Sequence, residues 1–472
     1  MMKKTLWILT EERPKNAVIE TIFMRFAQEF KIGFICSGSL KIVPLLKNGL
    51  FTFTYQVLGI NTPQIQQILI KTVSGQSSFV DYLLYFQEQE PTQQDIPLFA
   101  IEETKTDDSE SRNTGIFQRC SKFVYIDLFY PNIKKIMLYS LQIGQKQHPT
   151  KTNIFGSRLL ATYGVEILGK KQTDEQQKPF QSIDELIAYK NAMRLPNKTN
   201  VPILIKKTAN EIQISGRLIK KGTLSHDPNI GALSMISAVL RKLGWQKKIV
   251  ITQHGLQKNN LPKTQKPNKF IQIAHQFDIE LYGLMLPENK NRDYYWHYET
   301  TGEKLATIFI HLVVENFTQG YAVFENHAGC EKSYFHKSDG SVIPLAKYSN
   351  REEYKSGNKN AIIHIPDLIL VDVERLQIIN IEGKNYKNIN QGIVELLNYD
   401  DIENIYIKPN YSQYTIIRSV VLYGSDLQNN EKLPIEIGFL LNKQGKMILG
   451  VFAPTLFIEA ITHLLDYWKS DC

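Results

Sequence analysis

Ala361–Lys384 reads AIIHIPDLILVDVERLQIINIEGK, and the reading of the whole chain turns on it. Two apolar runs, Ala361–Val371 and Leu376–Ile381, flank a polar turn at Asp372–Arg375, which is the pattern of a β-hairpin. Asp367 stands in the first strand, and Glu382 and Lys384 close the second. Residues two apart on a strand share a face, so Glu382 and Lys384 point the same way. Two carboxylates and an ammonium among isoleucine and leucine are costly unless a divalent cation or a substrate compensates them. Hard oxygen ligands suit Mg²⁺, which activates water against a phosphodiester while a lysine steadies the developing negative charge.

Pro366-Asp367, followed across the hairpin by Glu382-Gly383-Lys384, resembles the PD-(D/E)xK nuclease superfamily. The resemblance covers the hairpin and the helix and strand after it, not the whole chain. It implies an α/β fold with a mixed central sheet flanked by helices. It also implies that Asp367 and Glu382 bind Mg²⁺ and that Lys384 acts at the scissile phosphate. In that family a helix before the hairpin often carries a further carboxylate, and the helical run Thr301–Phe317 offers Glu303 and Glu315. Lys387, Asn388, Asn390 and Gln391, just beyond the site, are candidates for backbone or base-edge contacts.

The layout recurs earlier in the chain. SSFVDYLLYF reads as a strand carrying Asp81, Gln87–Asp95 as a turn, and IPLFAIEETKT as the partner strand ending in Glu103 and Lys105. No proline precedes Asp81, and alternation turns Glu102 to the other face. A helix at Pro14–Phe30 carries Glu20 near its inward edge, a further helix is expected at Thr62–Lys71, and a strand at Phe123–Phe129. With this second copy the resemblance implies two restriction-endonuclease-like domains, the first using Asp81, Glu103 and Lys105, with Asp81 and Glu103 on the metal.

At 472 residues the chain has room for two or three cores. Gln257–Lys269, QKNNLPKTQKPNK, is the most linker-like stretch and sets expected domains at 1–260 and 261–472. A net charge of +8 permits a polyanionic partner without requiring one. Lys220, Lys221, Arg241, Lys242, Lys247 and Lys248 crowd one neighbourhood, where they would neutralise phosphates or form a solvated rim. No apolar run is long enough to cross a bilayer and the N-terminus lacks a signal pattern, so a cytoplasmic location is expected. Four scattered cysteines suit neither a disulfide framework nor zinc, and His327, Cys330 and His336 lack a fourth ligand. His311 reads as a core histidine. There is no phosphate loop, dinucleotide fingerprint, G-x-S-x-G elbow or H-E-x-x-H helix.

The expectation is a Mg²⁺-dependent, sequence-specific double-stranded DNA endonuclease, similar to type II restriction enzymes, with one active site per strand at an asymmetric target. It would act as a monomer or homodimer, away from membranes, with a cognate DNA methyltransferase encoded nearby as a functional partner. Two alternatives stand beside it. One is a single active C-terminal nuclease with a non-catalytic N-terminal reader; the other is a non-catalytic DNA-binding or antiphage interaction protein.

Overall fold

The computed structural model describes residues 4–75, 79–106, 115–143, 150–169, 174–193, 203–220, 223–224, 228–261, 268–288, 292–325, 332–346, 356, 362–425, 436 and 438–470. The chain forms two compact units. Unit 1 comprises Met1–Trp7, Glu12–Val73 and Tyr298–Cys472, and unit 2 comprises Ile8–Glu11 and Ser74–His297. The fold class is α/β, with several mixed sheets and helices.

After a strand at Lys4–Thr10, helix α1 (Asn16–Phe30) of unit 1 buries the expected face of Val18, Ile19, Ile22, Phe23, Phe26 and Ala27. Glu20 is exposed on it. Strands β1 (Ile35–Lys47), β2 (Leu50–Asn61) and β3 (Ile65–Ser74) follow as an antiparallel meander. The helix expected at Thr62–Lys71 is β3 instead, with Thr54 opposite Lys71 and Tyr55 opposite Ile70. Its run of isoleucine, threonine and valine suits a pleated, half-buried surface better than a helix.

Unit 2 opens with the hairpin β4 (Tyr82–Gln87) and β5 (Phe99–Thr106), then α2 (Gly115–Ile126), β6 (Lys134–Ile143), α3 (Lys151–Tyr163) and β7 (Val165–Gly169). β4 and β5 are antiparallel, while β5, β6 and β7 run parallel. The strand expected at Phe123–Phe129 is the end of α2 and the turn after it. A short apolar run does not by itself distinguish a buried strand from a buried helix.

A second sheet of unit 2 holds β8 (Leu204–Lys207), β9 (Glu211–Ser215), β10 (Lys248–Thr252) and β11 (Ile279–Leu281), in the order β11-β10-β9-β8. β9, β10 and β11 are parallel, so each step needs a crossover. These are made through α4 (Pro228–Lys242) and α5 (Lys269–Gln276). Gln257–Lys269, of which 262–267 lie outside the described residues, therefore falls within the β10–α5–β11 crossover of unit 2. The division into units runs elsewhere than 1–260 and 261–472, because Ile249 pairs with Ile279 across that stretch. Its prolines, asparagines and lysines mark a connection between paired strands.

Unit 1 resumes with α6 (Lys304–Phe317), β12 (Tyr321–Glu325), the hairpin β13 (Leu368–Asp372) and β14 (Gln377–Asn385), α7 (Ile389–Leu396), β15 (Thr415–Tyr423), β16 (Gly438–Leu441), β17 (Met447–Leu449) and α8 (Thr455–Ser470). The sheet order is β12-β13-β14-β15-β16-β17, with β14, β15 and β16 parallel. Every residue of β13 is buried, as a continuous apolar run predicts for a strand covered on both faces. Each such leucine or isoleucine contributes about 1.5–3 kcal/mol. Leu305 to Val314 of α6 are buried all round, which makes it a central helix packed on α8. Ile402–Ile407, whose last five residues are a π-helical turn, forms no strand. Hairpin, helix, parallel strand, parallel strand is thus a layout that unit 1 and unit 2 share. No helix among the described residues is long and apolar enough to cross a membrane.

Candidate functional site

The hairpin of unit 1 is held by its turn. The Asp372 carboxylate accepts the amides of Glu374 and Arg375 at 3.1 Å each and pairs with the Arg375 guanidinium at 3.0 Å. That arrangement is an Asx-turn, which fixes the register. The ladder begins with Leu368 opposite Ile381, so Asp367, expected within the strand, stands in the bend just before it. The Asp367 amide donates to the Ile381 carbonyl at 3.0 Å, and its carboxylate accepts the Gly383 amide at 2.9 Å. A Cβ at Gly383 would come within 2.5 Å of the Thr307 hydroxyl on α6 and 3.1 Å of the Asp367 carboxylate. Glycine at this position is what lets α6 approach the site.

Glu382 is 4% exposed. Lys384 Nζ pairs with one of its oxygens and the Tyr399 hydroxyl donates to the other. Lys384 also pairs with Glu395 on α7 at 3.0 Å, and Gln391 donates to Glu395 at 2.8 Å. A Cβ at Gly392 would sit 3.0 Å from Lys384 Cγ, so α7 lies close along the lysine stem. Burial pushes the Glu382 carboxyl up to about 8, aided by its hydrogen bond to Glu395 and the charge of Asp367. The same hydrogen bond holds Glu395 down at about 2, with Lys384 adding to it. Burial works against the Lys384 charge, but Glu382 and Glu395 outweigh it and raise its pKa above the ordinary value. Asp367, Glu382 and Lys384, expected to converge, do so; Glu395, Tyr399 and Thr307 join them without having been foreseen. The four-residue step from Gln391 to Glu395 was the available signal for Glu395, while Tyr399 stands in the turn beyond Leu396, where helical spacing does not reach.

The further carboxylates expected from α6 lie apart from this centre. Glu315 bonds the fully buried His311 at 2.9 Å and Arg13 at 3.0 Å, and Arg13 also holds Glu325 at 2.7 Å. Glu303 precedes the first turn of α6 and makes no side-chain cap. Of the residues weighed for zinc, His327 and Cys330 lie outside the described residues, and His336 is in the strand Lys332–His336.

The hairpin of unit 2 repeats the geometry with a shift. The ladder begins with Tyr82 opposite Ile101, and just before it the Asp81 amide donates to the Glu102 carboxylate at 3.2 Å. The Asp81 carboxylate accepts the Glu103 amide at 2.6 Å, as Asp367 accepts that of Gly383. Glu103 supplies a backbone donor, while alternation turns its side chain to the other face. Thr104 takes the place that Lys384 has in unit 1. Lys105 belongs to β5, but its side chain lies outside the described residues.

A lysine reaches this centre from another direction. Lys122 on α2 contacts the Glu102 oxygens at 2.8 and 2.9 Å and Asp81 at 3.6 Å. Arg119, one turn earlier, is 3.6 Å from Glu102 and donates to the Glu103 carbonyl at 2.9 Å. Burial first, then the charge of Asp81, raises Glu102 to about 8, while Lys122 and Arg119 pull against that rise. The buried Lys269 at the start of α5 is drawn down to about 7 by burial and by Lys122, with Glu102 opposing.

Of the basic neighbourhood, Arg241, Lys247 and Lys248 are engaged in the fold and Lys242 is exposed. Arg241 donates to the carbonyls of Phe277, Trp245, Lys247 and Asp278. Lys247 donates to the Ala209 carbonyl at 2.6 Å, and Lys248 pairs with Glu280 at 2.6 Å. Lys221 lies outside the described residues, as does the side chain of Lys220.

No family model, curated protein or solved structure matches this chain.

Among the described residues, no three His, Cys, Asp or Glu side chains stand where they would together hold a metal. Mg²⁺ asks for less than that, since it keeps several waters and takes one or two carboxylates with substrate phosphate oxygens. Asp367 and Glu382 fit that requirement. Three carboxylates with one ammonium leave the unit 1 centre short of positive charge.

Proposed function

We propose that this chain is a Mg²⁺-dependent DNA endonuclease of the type II restriction kind, with its phosphodiesterase centre in unit 1 at Asp367, Glu382 and Lys384. The observation that carries the reading is that the Asp367 carboxylate is fixed by the Gly383 amide, next to the buried Glu382 carboxylate that Lys384 binds. Asp367 and Glu382 would hold Mg²⁺, which when bound supplies Lewis acidity and lowers the pKa of a water. Lys384, kept protonated by Glu395, donates to the scissile phosphate as its charge grows. Tyr399 fixes the Glu382 carboxyl, and the Gly383 amide fixes that of Asp367. Glu382 would hold the ion as the ionised carboxylate.

The second reading is a nuclease with two catalytic centres, one per strand, favoured by the repetition of the hairpin layout in unit 2. The surplus of basic groups around Asp81 and Glu102 favours a single centre instead.

The test is cleavage of supercoiled plasmid DNA with Mg²⁺ by the wild type and by Glu382→Ala. The wild type is expected to nick or linearise the plasmid and the variant to leave it intact. A wild type without metal-dependent cleavage on any DNA would sink the reading and favour a non-catalytic binding protein.

A further inference from the structure

Tyr399 lies past the regular hydrogen bonds of α7, which ends at Leu396, yet its hydroxyl meets one oxygen of the buried Glu382. The turn that carries it is gripped from the sheet. Arg418 on β15 stands opposite Asn380 on β14, and Asn380 shares a face with Glu382 two residues further on. The Arg418 guanidinium donates to the Leu396 carbonyl at 2.8 Å, to the two oxygens of Glu403 at 2.7 and 2.8 Å, and to Asp400. Asn380 donates to the same Glu403 at 2.8 Å, and the Glu403 amide donates to the Tyr399 carbonyl at 3.0 Å. Arg418 therefore holds the chain three residues before Tyr399, one residue after it and four residues after it.

Glu403 is only 6% exposed, and a carboxylate so buried needs a cation, so that pair taken alone would serve the fold. The bonds to the Leu396 carbonyl and to Asp400, whose side chain is 76% exposed, do something else. They fix the path of the chain between α7 and the π-helical turn at Glu403–Ile407. A planar guanidinium can serve all these acceptors at once, whereas the single nitrogen of a lysine cannot span them.

We propose that Arg418 is a positioning residue of the unit 1 centre, clamping the turn 396–403 so that the Tyr399 hydroxyl stays on Glu382. Its catalytic consequence rests on the proposed function; the clamp rests on the hydrogen bonds alone. With Tyr399 in place the Glu382 carboxyl has one orientation, and without it the carboxyl turns. An error of orientation at a reacting centre lowers the rate of the chemical step and leaves substrate binding alone.

The experiment has two arms, both on the full chain. The first reads the hydrogen bond itself. A phenol that donates to a carboxylate absorbs to the red of one bonded to water, and Tyr399 is isolated as the near-ultraviolet spectrum of the wild type minus that of Tyr399→Phe. The same difference taken in an Arg418→Lys background, which keeps a cation for Glu403, is expected to move to the blue. Asp400→Ala, at an exposed position, is the second variant should Arg418→Lys fail to fold, and it should move the band the same way. A band left in place would overturn the clamp. The second arm is nicking of supercoiled plasmid with Mg²⁺. Arg418→Lys should lower kcat about tenfold and leave KM within about twofold. Added to Tyr399→Phe, it should cost less than about a further twofold, because both changes act on one hydrogen bond. Losses that multiply in full, or a loss in KM in place of kcat, would overturn the positioning role and leave an ion pair of the fold. A wild type that does not nick counts against the nuclease reading, while the difference band still decides the clamp.

Discussion

In unit 1 and unit 2 alike an aspartate just before the hairpin accepts the amide of the residue that follows a buried glutamate, but the charges around the two carboxylates differ. In unit 1 the lysine comes from the strand itself, two residues after Glu382, and a third carboxylate from α7 faces it. In unit 2 the strand offers Thr104 at that place, and α2 brings Lys122 and Arg119 to Glu102. The backbone frame is common, so the difference lies in which element carries the cations. On the proposed function, the acidic cluster beside one lysine is the centre suited to a metal, whereas the carboxylates of unit 2 are already paired with cations. A hairpin of this kind therefore defines a location, and the neighbouring helix decides the chemistry.

The widest separation expected between the two centres is in catalysis. Glu382→Gln should lower Mg²⁺-dependent nicking at least about 10³-fold, while Glu102→Gln lowers it less than about tenfold, as measured on supercoiled plasmid. Equal losses would break the comparison and make both centres catalytic. Lys384→Met should cost about 10²-fold or more in single-turnover cleavage. If its effect were instead a uniform weakening of DNA binding, Lys384 would be a backbone contact and no more.

A smaller effect sharpens the structural side. Gly383→Ala should destabilise unit 1 by about 1–3 kcal/mol in denaturant unfolding, because its Cβ meets Thr307 and Asp367. Thr307→Ala in the same chain should recover part of that loss. The position equivalent to Gly383 in unit 2 is Glu103, where a full side chain is accommodated. An unaltered midpoint for Gly383→Ala would mean that α6 does not constrain the hairpin.

The smallest effects are in pH dependence, and the two groups in unit 2 have opposite signs. Glu102 holds its proton to about 8 in the folded chain against an ordinary 4.5. Folded protein therefore binds the extra proton in that window, and stability falls as pH rises through it. Lys269 loses its proton near 7 against an ordinary 10.5, so the unfolded chain binds the extra proton and stability rises with pH from about 7. Denaturation midpoints between pH 7 and 10 should lose that rise in Lys269→Met. A slope unchanged by the substitution would show that the lysine is not buried as a free base.

The hairpin was legible because its apolar runs are continuous and its turn is polar, and Glu382 and Lys384 follow from counting along it; its first strand begins only at Leu368, one residue after Asp367 and not at Ala361. In the earlier copy the hairpin was equally plain but its register was not. Glu102 and Glu103 are adjacent acids, both buried, so neither polarity nor burial tells which faces Asp81. Lys122 was out of reach of pattern reading, since its role depends on how α2 lies on β5. The two units were hidden for a similar reason. Residues 12–73 join 298–472 through contacts such as Phe51 to Gly445 and Trp468 to Pro44, which leave no local mark on composition.

That discontinuity has a consequence for synthesis on the ribosome. Unit 2 is complete once His297 has emerged, whereas the first strands of unit 1 must wait for Gly445 and Trp468. At ordinary elongation speeds the stretch from His297 to Trp468 takes roughly 9–34 s. Throughout it β1, β2 and β3 lack the partners that will cover them, so the nascent chain carries exposed strand edges while a finished neighbour already stands folded. A cell that slows elongation late in this message would lengthen the exposure of unit 1 alone.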